Sequence, residues 1–159
     1  MEKVTCCFTG HRQLPSAERY DINLRLRGAI DMLIAEGYTG FIAGGALGFD
    51  TIAAREVLRF RISHPDVSLI LFLPCLDQDS GWSMSQKDSY EYILSSADEV
   101  KYISENYNKS CMKKRNQAMA EECDIMIAYV SRDYSGSAQT MRMAVSSGVC
   151  RNFCGRGAA

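Results

Sequence analysis

The chain is poor in the groups that metal and protease chemistry usually need. It holds two histidines, His11 and His64, and its seven cysteines contain no C-x-x-C pair. Cys150 and Cys154 are the nearest approach to a ligand pair at longer spacing, and no zinc set follows from them. The cysteines read instead as small apolar residues of a reducing compartment. Long hydrophobic runs are also absent. Runs such as Leu69 to Leu73 fall far short of the roughly 20 residues that span a bilayer. No basic segment followed by an apolar stretch opens the sequence, so a cytoplasmic location is the expectation. Excess charge is lacking too: the formal net charge is −1. That gives no overall attraction to nucleic acid or to an anionic membrane, so neither is expected as a partner.

What is present is ordinary for a folded domain. The 159 residues are 47% hydrophobic and 23% charged, enough apolar surface for a substantial core. There is no internal repeat, low-complexity stretch or linker, so residues 1–159 read as one domain. Apolar runs and helical periodicity alternate along it. Lys3 to Thr9 reads as a buried strand. From Ser16 a helix follows, with Ile22, Leu26, Ala29, Ile30, Leu33 and Ile34 at spacings of three and four and Gly37 as its stop. Phe41–Ala43 is a second strand and Ala46–Arg61 a second helix. Val67–Leu73 is a third strand, ended by Pro74. A helix over about Gln86–Ser95 precedes a strand at Glu99–Ile103. Ser110 can cap a helix reaching Glu122, with Met112, Asn116, Met119, Ala120 and Cys123 on one stripe. Ile125–Val130 is the fifth strand, Ala138–Ser147 a last helix, and the tail from Cys150 has room for one more short strand. Strands this apolar, alternating with helices, predict an α/β fold: a doubly wound, mostly parallel, Rossmann-like sheet covered on both faces.

In such a sheet ligands bind beyond the carboxyl ends of the strands. The polar and glycine-rich stretches of this sequence all fall there. After strand two comes Gly44-Gly45-Ala46-Leu47-Gly48, which is either a cradle for an anion at a helix N-terminus or only a tight turn. The pattern is G-G-x-x-G, not the dinucleotide G-x-G-x-x-G. Asp50 either caps the helix or accepts from a ribose hydroxyl. His11 and Arg12, directly after strand one, suit a phosphate or sugar, or are a surface pair. Lys113, Lys114 and Arg115 sit at the start of a helix, where cations oppose the dipole and an anion would offset them. Arg115 carries the planar fork suited to phosphate. Trp82 either stacks on a base or anchors its loop. Ser135, Gly136 and Ser137 form either a second anion-binding turn or an ordinary cap. Tyr90, Tyr92 and Met119 read as packing residues.

Taken in order, "FTGHR", "GGALGFDTIAA", "ILSSADEVKYIS", "KRNQAMAEECDIMIAYV" and "SGSAQT" resemble the SLOG superfamily, and specifically its YpsA-like branch, over about residues 4 to 148. The resemblance implies a Rossmann-type domain that self-associates. It implies a pocket for a nucleotide or nucleotide-derived ligand such as AMP, ADP-ribose or an NAD-like molecule, in a sensor or regulatory role. It carries Gly10, Arg12, Gly44, Gly45, Gly48, Asp50, Trp82, Arg115 and Asn116 over as ligand-site positions. The superfamily includes cytokinin-activating phosphoribohydrolases and DNA-processing protein A, which makes nucleotide hydrolysis the alternative. The phosphoribohydrolase pattern P-G-G-x-G-T-x-x-E is broken here, however. Met143 falls where its catalytic glutamate would be, and a thioether is neither an acid nor a base.

Overall fold

The computed structural model describes residues 3–130 and the backbone of residues 150–152. Six strands form one sheet in the order β4-β3-β2-β1-β5-β6: β1 Thr5–Gly10, β2 Gly40–Ala43, β3 Ser68–Leu73, β4 Glu99–Tyr102, β5 Ile125–Tyr129 and β6 Cys150–Asn152. Every neighbouring pair is parallel. The helices are α1 Arg19–Ala35, α2 Phe49–Ser63, α3 Met84–Ser96 and α4 Cys111–Glu122, with one turn of 3₁₀ helix at Ser16–Glu18 ahead of α1. The fold is the expected Rossmann-like one, and the tail does supply a sixth strand. The helix expected at Ala138–Ser147 lies outside the described residues.

Topology distributes the helices. The chain steps outward from β1 to β4, and right-handed crossovers keep α1, α2 and α3 on one face. It then returns to place β5 on the other side of β1, so α4 crosses the opposite face. Two cores result. Phe8, Phe41, Leu69, Leu71 and Tyr129 pack under α1, α2 and α3. Cys7, Ile42, Ile70, Phe72, Met126 and Ala128 pack against Met119, Ala120 and Cys123 at the end of α4. All five described cysteines are buried with free thiols. Strands covered on both sides have no polar face, which is why β1, β3 and β5 are legible as unbroken apolar runs. The outer strand β4 is the exception: all four of its residues are exposed.

Two aspartates pin the lower edge of the sheet. Asp98, just before β4, accepts from the Leu69 N–H at 2.8 Å, and Asp124, just before β5, accepts from the Thr5 N–H at 2.8 Å. Each backbone N–H donates back, to Leu69 and Thr5 respectively, at 2.9 Å. A second clamp joins α1 to α2: Glu56 is buried and accepts from Arg27 at 3.1 Å and from Arg59 at 3.0 Å. Burial alone would raise the Glu56 carboxyl, but the two guanidiniums hold it below its ordinary range.

Three details differ from the sequence expectation. Helix α2 begins at Phe49, three residues late, because Ala46–Gly48 belong to the glycine loop. Ser110 makes no side-chain cap on α4; Asn108 accepts from the Ser110 N–H instead, at 3.0 Å. The buried stripe of α4 is Cys111, Arg115, Met119 and Ala120, with Arg115 inside where Asn116 was expected. An arginine in that place is a consequence of the site described below.

Gly28 lies exposed inside α1, with nothing within 4 Å of a Cβ added there. Gly28→Ala should therefore stabilise the protein by about 0.5–1 kcal/mol in urea unfolding. Gly48 has a positive φ of 80° and backbone oxygens in the way of a Cβ. Gly48→Ala should destabilise it by about 2 kcal/mol or more.

Candidate functional site

The carboxyl ends of β1 and β2 lock into one another. The Phe49 N–H, at the start of α2, donates to the His11 carbonyl at 3.1 Å. A Cβ on Gly48 would lie 2.2 Å from the Arg12 carbonyl oxygen and 2.5 Å from that of His11. The loop after β1 and the glycine loop after β2 are thus one body, and Gly48 is what lets their backbones touch. His11 itself is buried, its ring edge-on to Tyr129 at 5.8 Å.

Asp50 is the second residue of α2. The N-cap position belongs to Gly48, so Asp50 is not the helix cap in the usual sense. Its Oδ2 reaches back over the loop and accepts from the Ala46 N–H at 3.3 Å. Its Oδ1 is buried and has no hydrogen-bond partner among the described residues. Burial pushes this carboxyl up to about 6, against the opposing pulls of Arg115, the Ala46 N–H and Arg12.

Arg115 comes from α4, on the other face of the sheet, and is only 5% exposed. Its guanidinium donates to the Gly44 carbonyl, and its Nε donates to Asn116 Oδ1 at 2.7 Å. A Cβ on Gly44 would meet Arg115 Nη1 at 2.7 Å and Asp50 Oδ2 at 2.8 Å. Gly44 is bare so that a buried cation and a buried anion can face each other across it. Burial pulls the Arg115 pKa down, and the Asp50 carboxylate resists that. The fork expected to meet a phosphate is spent on holding the loop.

Above this cluster opens a cleft of about 550 Å³, within the size range of ligand pockets. Arg12, Gly45, Gly48, Asp50 and Trp82 are on its wall. Gly10, His11, Gly44, Arg115 and Asn116 are not on that wall. Ser135, Gly136 and Ser137 lie outside the described residues. Leu71, Ala54 and Ile93 make an apolar floor. Trp82 is half-buried and edge-on to Tyr90 at 5.2 Å, so one indole can both anchor its loop and wall the cleft.

Several wall residues were not singled out from the sequence. Arg19, from the start of α1, and Arg55, from α2, both line the cleft. Arg55 falls one helical turn after Thr51 on the helix the glycine loop opens, and that spacing was the available signal. Arg19 is brought in by tertiary packing alone. Gln78 donates to the Gly45 carbonyl at 3.4 Å and to the Tyr90 hydroxyl at 3.0 Å, while its Oε1 is buried without a partner among the described residues. Tyr90, assigned to packing, also lines the cleft, and burial pushes its hydroxyl up to about 12. Tyr92, likewise assigned to packing, is 54% exposed and lies under the Arg55 guanidinium at 5.8 Å. Among the described residues no three His, Cys, Asp or Glu side chains converge on a metal position, and no helix is long and apolar enough to cross a membrane.

Residues 16–149 match the YspA SLOG family. The chain belongs to that family. UPF0398 proteins of Bacillus thuringiensis (strain Al Hakam) and Bacillus cereus (strain AH187) are each 32% identical to it over 118 residues, covering 73% of this chain. The match covers 64% of those relatives' length, so this SLOG chain spans less than two thirds of them. Its fold is similar to two solved structures. DNA processing protein A from Helicobacter pylori, which binds single-stranded DNA, aligns with a TM-score of 0.66 at 20% identity, over 95% of this chain and 64% of its own. DNA processing protein A from Streptococcus pneumoniae aligns with a TM-score of 0.67 at 19% identity, over 96% and 50%.

The buried pair makes two stability predictions. Arg115→Met leaves the Gly44 carbonyl and Asp50 uncompensated and should cost about 3 kcal/mol or more in urea unfolding at pH 7. The folded-state pKa of Asp50, about 6, lies above its ordinary 3.8, so folding favours the protonated form. That contribution is complete below pH 3.8 and is lost as pH rises through 6. The unfolding free energy of the wild type minus that of Asp50→Asn should fall by about 2 kcal/mol between roughly pH 4 and pH 7. A difference that stays flat contradicts the buried carboxyl.

Proposed function

We infer that this chain binds a nucleotide or nucleotide-derived ligand in the cleft beside the glycine loop, as a sensing or regulatory module. The observation that carries the reading is the make-up of one concave site. An aromatic wall of Trp82 and Tyr90 offers a surface for a base. Arg12, Arg19 and Arg55 offer charge for phosphate, and Asp50 offers a buried acceptor with an open valence. Nucleotides present all three complementary parts: a ring, an anion and hydroxyl donors. Membership of the SLOG family and the nucleic-acid ligand of a structurally similar protein point in the same direction. The ligand class covers AMP, ADP-ribose and NAD-like molecules.

A hydrolase is the second reading, and one observation favours it. A carboxyl with a pKa near 6 at a cleft wall can exchange a proton at physiological pH. Against it, Asp50 is the only carboxylate on the cleft wall among the described residues, and glycosidic hydrolysis ordinarily pairs two. Self-association and a cytoplasmic setting belong to the same proposal.

Trp82 is the chain's single tryptophan, so its fluorescence reports on the cleft directly. Titration with AMP, ADP-ribose and NAD should quench it and raise the melting temperature for at least one of them. Trp82→Ala should weaken that binding about tenfold, the loss of one stacking contact. If no nucleotide in the panel shifts fluorescence or melting while a short single-stranded oligonucleotide does, the site is a nucleic-acid site and the small-ligand reading fails. Release of base or phosphate from the bound nucleotide would favour the hydrolase.

A further inference from the structure

The glycine loop looks, in sequence, like the place for a phosphate. Its surroundings in the fold are of the opposite kind. Two of its backbone donors are already committed inside the protein, the Ala46 N–H to Asp50 and the Phe49 N–H to the His11 carbonyl. Gly44 is overlaid by Arg115 and Asp50, and Gly48 by the carbonyl oxygens of Arg12 and His11. Asp50, 6% exposed, sits at the N-terminus of α2 and occupies the positive end of that helix with a carboxylate of its own. Asp50 lines the cleft, and its buried Oδ1 has no donor among the described residues. Oxygen acceptors therefore crowd this end of the cleft, and among the described residues Asp50 Oδ1 is the one of this cluster left without a hydrogen-bond donor.

Arg12 brings one positive charge to this end of the cleft, and a pair of guanidiniums lies elsewhere on its wall. Arg19 and Arg55 line the cleft and also frame an adjoining hollow with Tyr20, Asn23, Ile52 and Glu56, so they share one end of it. Neither is in an ion pair among the described residues, since Glu56 is taken by Arg27 and Arg59. The Arg55 guanidinium is steadied by the Ser89 hydroxyl at 2.7 Å, and both arginines are exposed. Two planar forks beside hydroxyls suit a phosphate.

Building on nucleotide binding in this cleft, we propose that the ligand lies with its phosphate between Arg19 and Arg55 and its ribose hydroxyls toward Asp50, so that the glycine loop reads the sugar. The base then rests against the Trp82 and Tyr90 side of the cleft. Asp50 Oδ1 gains its missing donor from the sugar, and the binding polarity is the reverse of a glycine-loop phosphate cradle.

Calorimetry with three probes tests this: AMP, adenosine and 2′,3′-dideoxy-AMP, each on the wild type, on Arg19→Ala/Arg55→Ala and on Asp50→Asn. The double arginine variant changes exposed residues and should keep its fold. It should lose AMP affinity about tenfold or more and leave adenosine unchanged. The wild type should prefer AMP to the dideoxy nucleotide, and Asp50→Asn should abolish that preference. An AMP-to-adenosine ratio unchanged by the double variant, or AMP and dideoxy-AMP bound equally by the wild type, overturns the orientation and leaves nucleotide binding standing. AMP bound more tightly by Asp50→Asn, by relief of repulsion, also overturns it and puts the phosphate on the loop. If the wild type binds none of the three, the orientation falls; if ADP-ribose and NAD fail as well, the nucleotide reading falls with it.

Discussion

The contact on which the site depends is the one between Arg115 and the Gly44 carbonyl. A guanidinium carried on one face of the sheet reaches the end of a strand whose helix packs on the other face. Burying that charge is expensive unless its donors are used and an anion is near. The Gly44 carbonyl and Asn116 use the donors, and Asp50 is the anion. Several local features follow from that one requirement. Gly44 has no side chain because the pair faces across it. Asp50 is drawn to the N-terminus of α2 and back over Ala46. Asn116, half-buried beside Arg115, orients the guanidinium plane.

The consequence for the cleft is rigidity. Loops are ordinarily the mobile part of an α/β fold, yet the loops after β1 and β2 are joined here by the Phe49-to-His11 hydrogen bond and by the contact at Gly48. Gln78 ties the loop after β3 to the same body through Gly45 and Tyr90. A wall assembled this way is set before a ligand arrives, which lowers the ordering cost of binding. Among the described residues two buried acceptors, Asp50 Oδ1 and Gln78 Oε1, have no partner, and both belong to residues beside the glycine loop. Unpaired buried acceptors are rare, and two around one loop are the feature on which the proposed ligand site rests.

How much of this the sequence disclosed varies with the physics involved. The strands were legible because a doubly covered parallel sheet needs continuous apolar runs, as at Leu69–Leu73. The helices were legible from spacing, as with Ile22, Leu26, Ile30 and Leu33. The start of α2 was misplaced because Ala46 and Leu47 are good helix formers held out of the helix by the glycines around them. The stripe of α4 was displaced by one residue because arginine reads as a surface residue wherever its partner cannot be seen. Arg12, Asp50 and Trp82 were legible as cleft residues because they sit at strand ends. Arg19 was not, since α1 reaches the cleft only through its packing on α2. In sequence the glycine loop reads as either an anion cradle or a tight turn, because which side chains lie over each glycine is tertiary information.

A crystal structure of the chain soaked with AMP tests the central claim most directly, because it reports orientation and occupancy at once. Phosphate density against the Arg19 and Arg55 guanidiniums, with a ribose hydroxyl on Asp50, is the predicted result. Phosphate density on the Asp50 and Thr51 backbone amides, with the sugar turned away toward the arginines, would contradict it.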